Sequence, residues 1–179
     1  SNKPNADDLS LKIEWIEICS FANELETCMY MAADKDENGN LKGWSEYTPT
    51  EWLDKSIFAM KQDTRLLEKN IARLGTQKYV ELIKKHNVDP KSIDWFLPHI
   101  SSEFFRSKVD EEMKSHGVDL PQERWFVNLA QVGNIGAASI FISLEELMNS
   151  GKLKKGQKIL LSVPESARFS YANAILTVV

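Results

Sequence analysis

Cysteine is scarce in this chain. Two residues, Cys19 and Cys28, in 179 fall far short of a disulfide framework. With no secretory h-region ahead of them they fit a reducing, cytoplasmic setting. Long apolar runs are missing, which excludes a membrane-spanning helix. A basic stripe with interleaved aromatics is missing too. The net charge is −4 with Lys and Arg scattered among Asp and Glu, so nucleic acid is not the main partner. No repeat, low-complexity tract or linker divides the chain. What is present is 42% hydrophobic, enough for one ordinary core or for half of a larger enzyme. Residues 1–8 are polar and read as a disordered tail ahead of one domain over residues 9–179.

Residues 11–20 alternate closely enough for a half-buried strand. Residues 27–33 and 41–47 face each other across Asp36-Glu37-Asn38-Gly39, and Asn-Gly between apolar runs predicts a hairpin. Asp34, Asp36, Asn38 and Gly39 also mimic the start of a calcium loop. The twelfth position is Ser45 where a bidentate carboxylate is required, so no metal site is expected. Thr48-Pro49-Thr50-Glu51 is a capping box that opens a long amphipathic helix with Leu53, Ile57, Met60, Leu67, Ile71 and Leu74 on one stripe. That helix is expected to break near Gly75, with a shorter one following to His86. Residues 93–98 read as a buried strand and residues 101–117 as a helix stopped by Gly117. Residues 152–158 form a basic surface loop, residues 159–163 a buried strand and residues 169–179 a closing strand.

The chain is organised around residues 125–148. An apolar run stops at Gly133-Asn134, and Ile140, Phe141, Leu144, Leu147 and Met148 then recur at helical spacing, giving strand, tight loop and buried helix. Asn134 is expected at the N-cap of that helix, where the dipole favours negative charge. His99 lies likewise between a strand and a helix. Ligands bind at that edge of open α/β sheets, so His99 and Asn134 are placed to converge on one crevice.

Asp94-Trp95-Phe96-Leu97-Pro98-His99, the run from Val127 through Gly133-Asn134-Ile135-Gly136-Ala137-Ala138-Ser139, and Gly151-Lys152-Leu153-Lys154-Lys155-Gly156-Gln157-Lys158-Ile159-Leu160-Leu161 together resemble the C-terminal half of a 3-oxoacyl-ACP synthase III of the thiolase superfamily. The match in order and spacing covers residues 90–179; residues 8–90 match in layout alone. Val163-Pro164-Glu165-Ser166-Ala167-Arg168-Phe169-Ser170 looks closer to the branch that makes dialkylresorcinol and flexirubin-type precursors. The resemblance implies an α/β thiolase-like half: a mixed five-stranded sheet covered by helices on both faces, in α-β-α layers. It implies a missing N-terminal half of the same polypeptide, a homodimer of the full-length enzyme, and substrates carried as thioesters on acyl carrier protein or CoA, with no other cofactor.

It also implies a Cys-His-Asn site for Claisen-type condensation in fatty-acid or polyketide and aromatic-lipid biosynthesis. His99 and Asn134 fall on the family's His and Asn, the nucleophilic cysteine belongs to the missing half, and the fragment alone is expected to be inactive. Ala167 aligns with the backbone N–H of an oxyanion hole. Ser102, Arg106, Glu165, Ser166 and Arg168 are the substrate-binding candidates. Two departures stand out: Ser102 replaces an asparagine that helps hold pantetheine, and Glu165-Ser166-Ala167-Arg168 replaces a glycine-rich loop. Glu165 and Arg168 could pair with each other or meet a polar substrate. The competing reading is a non-catalytic ketosynthase-like subunit that binds thioesters or pairs with an active partner. A thiolase-like degradative enzyme is the weaker third, since neither cysteine lies in the expected context.

Overall fold

The structure, a computed structural model, describes residues 3–5 and 8–179. In chain order the elements are β1 (Leu11–Ser20), β2 (Met29–Tyr30), β3 (Ala33–Lys35), β4 (Leu41–Gly43), α1 (Pro49–Asp54), β5 (Lys61–Gln62), α2 (Thr64–Lys85), β6 (Trp95–Pro98), α3 (Phe104–Ser115), α4 (Leu129–Val132), α5 (Ser139–Asn149), β7 (Lys158–Glu165) and β8 (Ser170–Val178). They form two compact units. The larger takes Ala72–Pro164 and Tyr171–Val179 with the N-terminal stretch to Cys19; the smaller takes Ser20–Ile71 and Glu165–Ser170. Of the tail expected over residues 1–8, residues 1, 2, 6 and 7 lie outside the described residues. Asn5 N–H donates to Ser10 Oγ at 2.7 Å.

The larger unit is an α-β-α layering. Its sheet runs β1-β8-β7-β6 and is mixed. β6 and β7 are parallel, with Phe96 beside Leu160 and Leu97 beside Leu161. β1 and β8 are antiparallel, since Ser10 and Val179 exchange both backbone hydrogen bonds at 3.1 and 2.8 Å. Successive strand residues point to opposite faces, and the core divides accordingly. Phe96, Leu160 and Ile175 pack with Tyr79 and Ile83 of α2 and Met113 of α3. Leu97, Ile159, Leu176 and Val178 pack with Ile140 and Leu147 of α5. The expected fifth strand is reduced to a single parallel bridge between Trp125 and Phe96, because the chain coils into α4 four residues later. On β1, Ile16 and Ile18 remain 57% and 75% exposed, and Phe141 on α5 remains 71% exposed.

Helix prediction erred between residues 55 and 75. The capping box forms, with Glu51 accepting Thr48 N–H at 2.9 Å, but α1 ends at Asp54. Ser56 takes φ +47° and Ile57 is fully buried, so the helical stripe is interrupted. Residues 61 and 62 instead pair with β2, Tyr30 opposite Lys61. Asp63 then starts α2 by accepting Leu66 N–H at 2.9 Å. The helix passes Gly75 without a break. A Cβ there would lie 2.9 Å from Cε1 of Tyr171, so this glycine lets α2 approach β8 rather than ending a helix.

The smaller unit contains the hairpin, shorter than expected and shifted: Ala33 pairs with Gly43 and Lys35 with Leu41. Gly39 turns it at φ +82°, and the Asp36 carboxylate accepts Asn38 and Asn40 N–H, both at 2.9 Å. That carboxylate is thus committed to the turn. Among the described residues no helix is long and apolar enough to cross a membrane.

Candidate active site

His99 follows β6 directly, and its backbone N–H donates to Ser162 C=O at 2.8 Å, one step past the Pro98–Ser162 register of β6 and β7. Leu97 and Ile100, both buried, fix the chain on either side. His99 lines a small pocket with Asn128 and Gly133 from the α4 segment and Ser139, Ile140 and Ser143 from α5. Burial holds its pKa below the ordinary histidine value, so the ring is neutral at pH 7. It has no side-chain hydrogen bond among the described residues, and one ring N–H is left to donate.

Asn134 is not the helix cap. α5 begins at Ser139, preceded by a 3-10 turn over Gly136–Ala138. The Asn134 side chain instead closes its own turn, Oδ1 accepting Gly136 N–H at 3.0 Å, while Ser139 Oγ accepts Ile135 N–H at 3.3 Å. Pinning the oxygen leaves the NH2 as the free, donating end. Gly133, at φ +79°, reverses the chain here and lines the pocket; the Asn134 side chain is exposed beside it and does not.

The remaining candidates are engaged within the protein. Ser102 Oγ accepts Phe104 N–H at 3.3 Å. Arg106 makes a two-point contact to Glu103 at 2.7 and 3.3 Å. In the smaller unit the Glu165–Arg168 ion pair does not form. The Glu165 carboxylate accepts the backbone N–H of Ala167 and of Arg168, the latter at 3.2 Å, while the Arg168 guanidinium donates to Ala22 C=O at 2.9 Å. The Ala167 N–H is therefore already occupied. Ser166 Oγ accepts from Gln62 Nε2 at 3.3 Å.

Neither cysteine has nucleophile character. Cys28 is fully buried, burial pushes its thiol up to about 11, and burial raises Cys19 as well. Asn128 and Ser143 were missed from sequence. Ser139 and Ser143 stand four residues apart, hence on one face of α5, which was the available signal.

Residues 83–177 match the family described as 3-Oxoacyl-[acyl-carrier-protein (ACP)] synthase III C terminal. A beta-ketoacyl-[acyl-carrier-protein] synthase III of Microcystis aeruginosa is 34% identical over 139 residues, 73% of this chain and 39% of that protein. Two solved structures share the fold. The synthase III of Aquifex aeolicus VF5 has a TM-score of 0.64 at 22% identity, covering 93% of this chain and 44% of that one. OleA of Xanthomonas campestris has a TM-score of 0.66 at 22% identity, covering 94% and 41%. The chain belongs to the 3-oxoacyl-ACP synthase III family, and residues 83–177 carry its C-terminal domain. It spans about two fifths of the length of the curated relative quoted, 39%.

Proposed function

We propose that the chain is the C-terminal part of an acyltransferase that joins two acyl thioesters by Claisen-type condensation. In the reading we adopt, a cysteine in the N-terminal half of the polypeptide takes the acyl group. A malonyl-type thioester then loses CO2 to become an enolate. The enolate carbon attacks the acyl-enzyme carbonyl, forming the carbon–carbon bond and expelling the cysteine thiolate. His99 and Asn134 donate to the thioester oxygen as enolate charge accumulates, and preorganised neutral donors suit that task. The observation that carries the reading is His99: a neutral imidazole with no side-chain hydrogen bond among the described residues, at a sheet edge, in a pocket shared with the Gly133 turn. The substrates are acyl carrier protein or CoA thioesters, and the product belongs to fatty-acid or aromatic-lipid synthesis of the dialkylresorcinol type. The full-length enzyme works as a homodimer in the cytoplasm.

The test uses the full-length protein. His99→Ala and Asn134→Ala should keep cysteine acylation and lose condensation; condensation retained in both variants refutes the assignment. The fragment alone should turn over no thioester.

One observation favours the non-catalytic reading: the Ala167 N–H is held by Glu165 rather than left for an acyl oxygen. A full-length chain without a cysteine at the start of a buried helix would decide for it.

A further inference from the structure

Asn128 lines the pocket six residues before Asn134, and its side chain is bonded at both ends. Its Oδ1 accepts from Ser143 Oγ at 2.8 Å, and its Nδ2 donates to Glu146 Oε2 at 2.7 Å. Both partners are on α5, one helical turn apart on one face. The Asn128 backbone carbonyl meanwhile accepts the N–H groups of Gln131 and Val132, each at 3.0 Å, and so starts α4. A single residue thus fixes the start of α4 and ties it to α5. Between these anchors lie Gly133 and Gly136, both at positive φ, with Asn134 between them. Two left-handed glycines make a loop with many conformations open to it. Such a loop holds one geometry only if its ends are held.

We infer that Asn128 is a positioning residue: its carboxamide clamps the α4 segment to α5 through Ser143 and Glu146 and thereby sets where Gly133 and Asn134 stand against the His99 pocket. The polarity of the clamp is definite. Ser143 gives its hydroxyl proton to Asn128, and the Asn128 amide gives one of its own to the Glu146 carboxylate. This inference rests on the condensing-enzyme reading for its effect on rate, but the loop restraint itself does not.

The direction of the bonds supplies the test. In the full-length enzyme, Asn128→Asp keeps volume and the acceptor for Ser143 but sets a carboxylate against Glu146. Condensation should fall by up to about a hundredfold, the scale of the loss when a remote change misplaces a reacting group by about 1 Å. Acylation of the cysteine should be unchanged, and backbone amides over residues 133–138 should exchange faster with solvent. Adding Glu146→Gln restores a donor and acceptor pair in the opposite sense, so the double variant should recover both condensation and slow exchange. Unchanged condensation in Asn128→Asp, or a double variant that does not recover, overturns the clamp. An equal loss in acylation also overturns it. His99→Ala run alongside separates the two questions: condensation retained there defeats the site reading, whereas His99→Ala inactive with Asn128→Asp fully active defeats only the clamp.

Discussion

Gly75 of α2 lies against the ring of Tyr171 on β8, so close that an added Cβ would stand 2.9 Å from Cε1 and 3.3 Å from Cδ1. Alanine is the better helix former by about 1 kcal/mol. Contact nonetheless decides against it here, because Tyr171 is 2% exposed in a packed core. Gly75→Ala should destabilise by about 1–3 kcal/mol, as overpacking does. Thermal melting checks the sign; a raised Tm would show that the ring can move aside.

The His99 imidazole has its pKa lowered by burial. Above the unfolded value of about 6.5 both states are neutral and the group adds no pH dependence. As pH falls through 6.5 the unfolded chain takes up a proton that folded His99 refuses, so stability is lost until pH reaches the depressed folded value. His99→Asn should flatten that acid-side slope. Denaturant melts of both proteins at pH 7 and pH 5 make the comparison, and equal slopes would contradict it.

Tyr79 is 4% exposed, and its hydroxyl has no hydrogen-bond partner among the described residues. A buried polar group without a partner costs about 1–3 kcal/mol. Tyr79→Phe removes the oxygen and keeps the ring, so it should leave stability equal or raise it. A clear fall in Tm would reveal a partner for the hydroxyl.

If the Ala167 N–H receives an acyl oxygen, the Glu165 carboxylate competes with substrate for it. On that basis Glu165→Ala should speed cysteine acylation in the full-length enzyme, measured by single-turnover mass spectrometry. Slower acylation would instead assign Glu165 to holding the turn whose Ala167 carbonyl accepts Cys28 N–H at 2.8 Å.

The central sheet was legible in the sequence because β1 alternates apolar with polar residues and the apolar runs of β6, β7 and β8 are bounded by turn residues. The strand expected at residues 159–163 extends by one residue at one end and two at the other, to Lys158–Glu165. The α1 start was legible for a local reason, since Thr48 and Glu51 satisfy each other within one turn. The helix stripe from Leu53 to Leu74 fails at Met60, which has helical spacing but is 70% exposed beside a two-residue strand. Strands as short as β2 and β5 have no period of their own; their partners lie some thirty residues apart. Gly75 reads as a helix stop because local sequence cannot reveal Tyr171 across the core. The same limit hid Asn128, whose significance depends on Ser143 and Glu146.

β1 has a consequence for handling the isolated chain. It is the terminal strand of its sheet, and Ile16 and Ile18 stand out from it. A strand edge bearing branched aliphatic groups is a template on which a second molecule can zip. Turbidity, rather than loss of native structure, will set how concentrated this piece can be kept. Charged replacements at Ile16 and Ile18 should raise that ceiling without touching the His99 pocket.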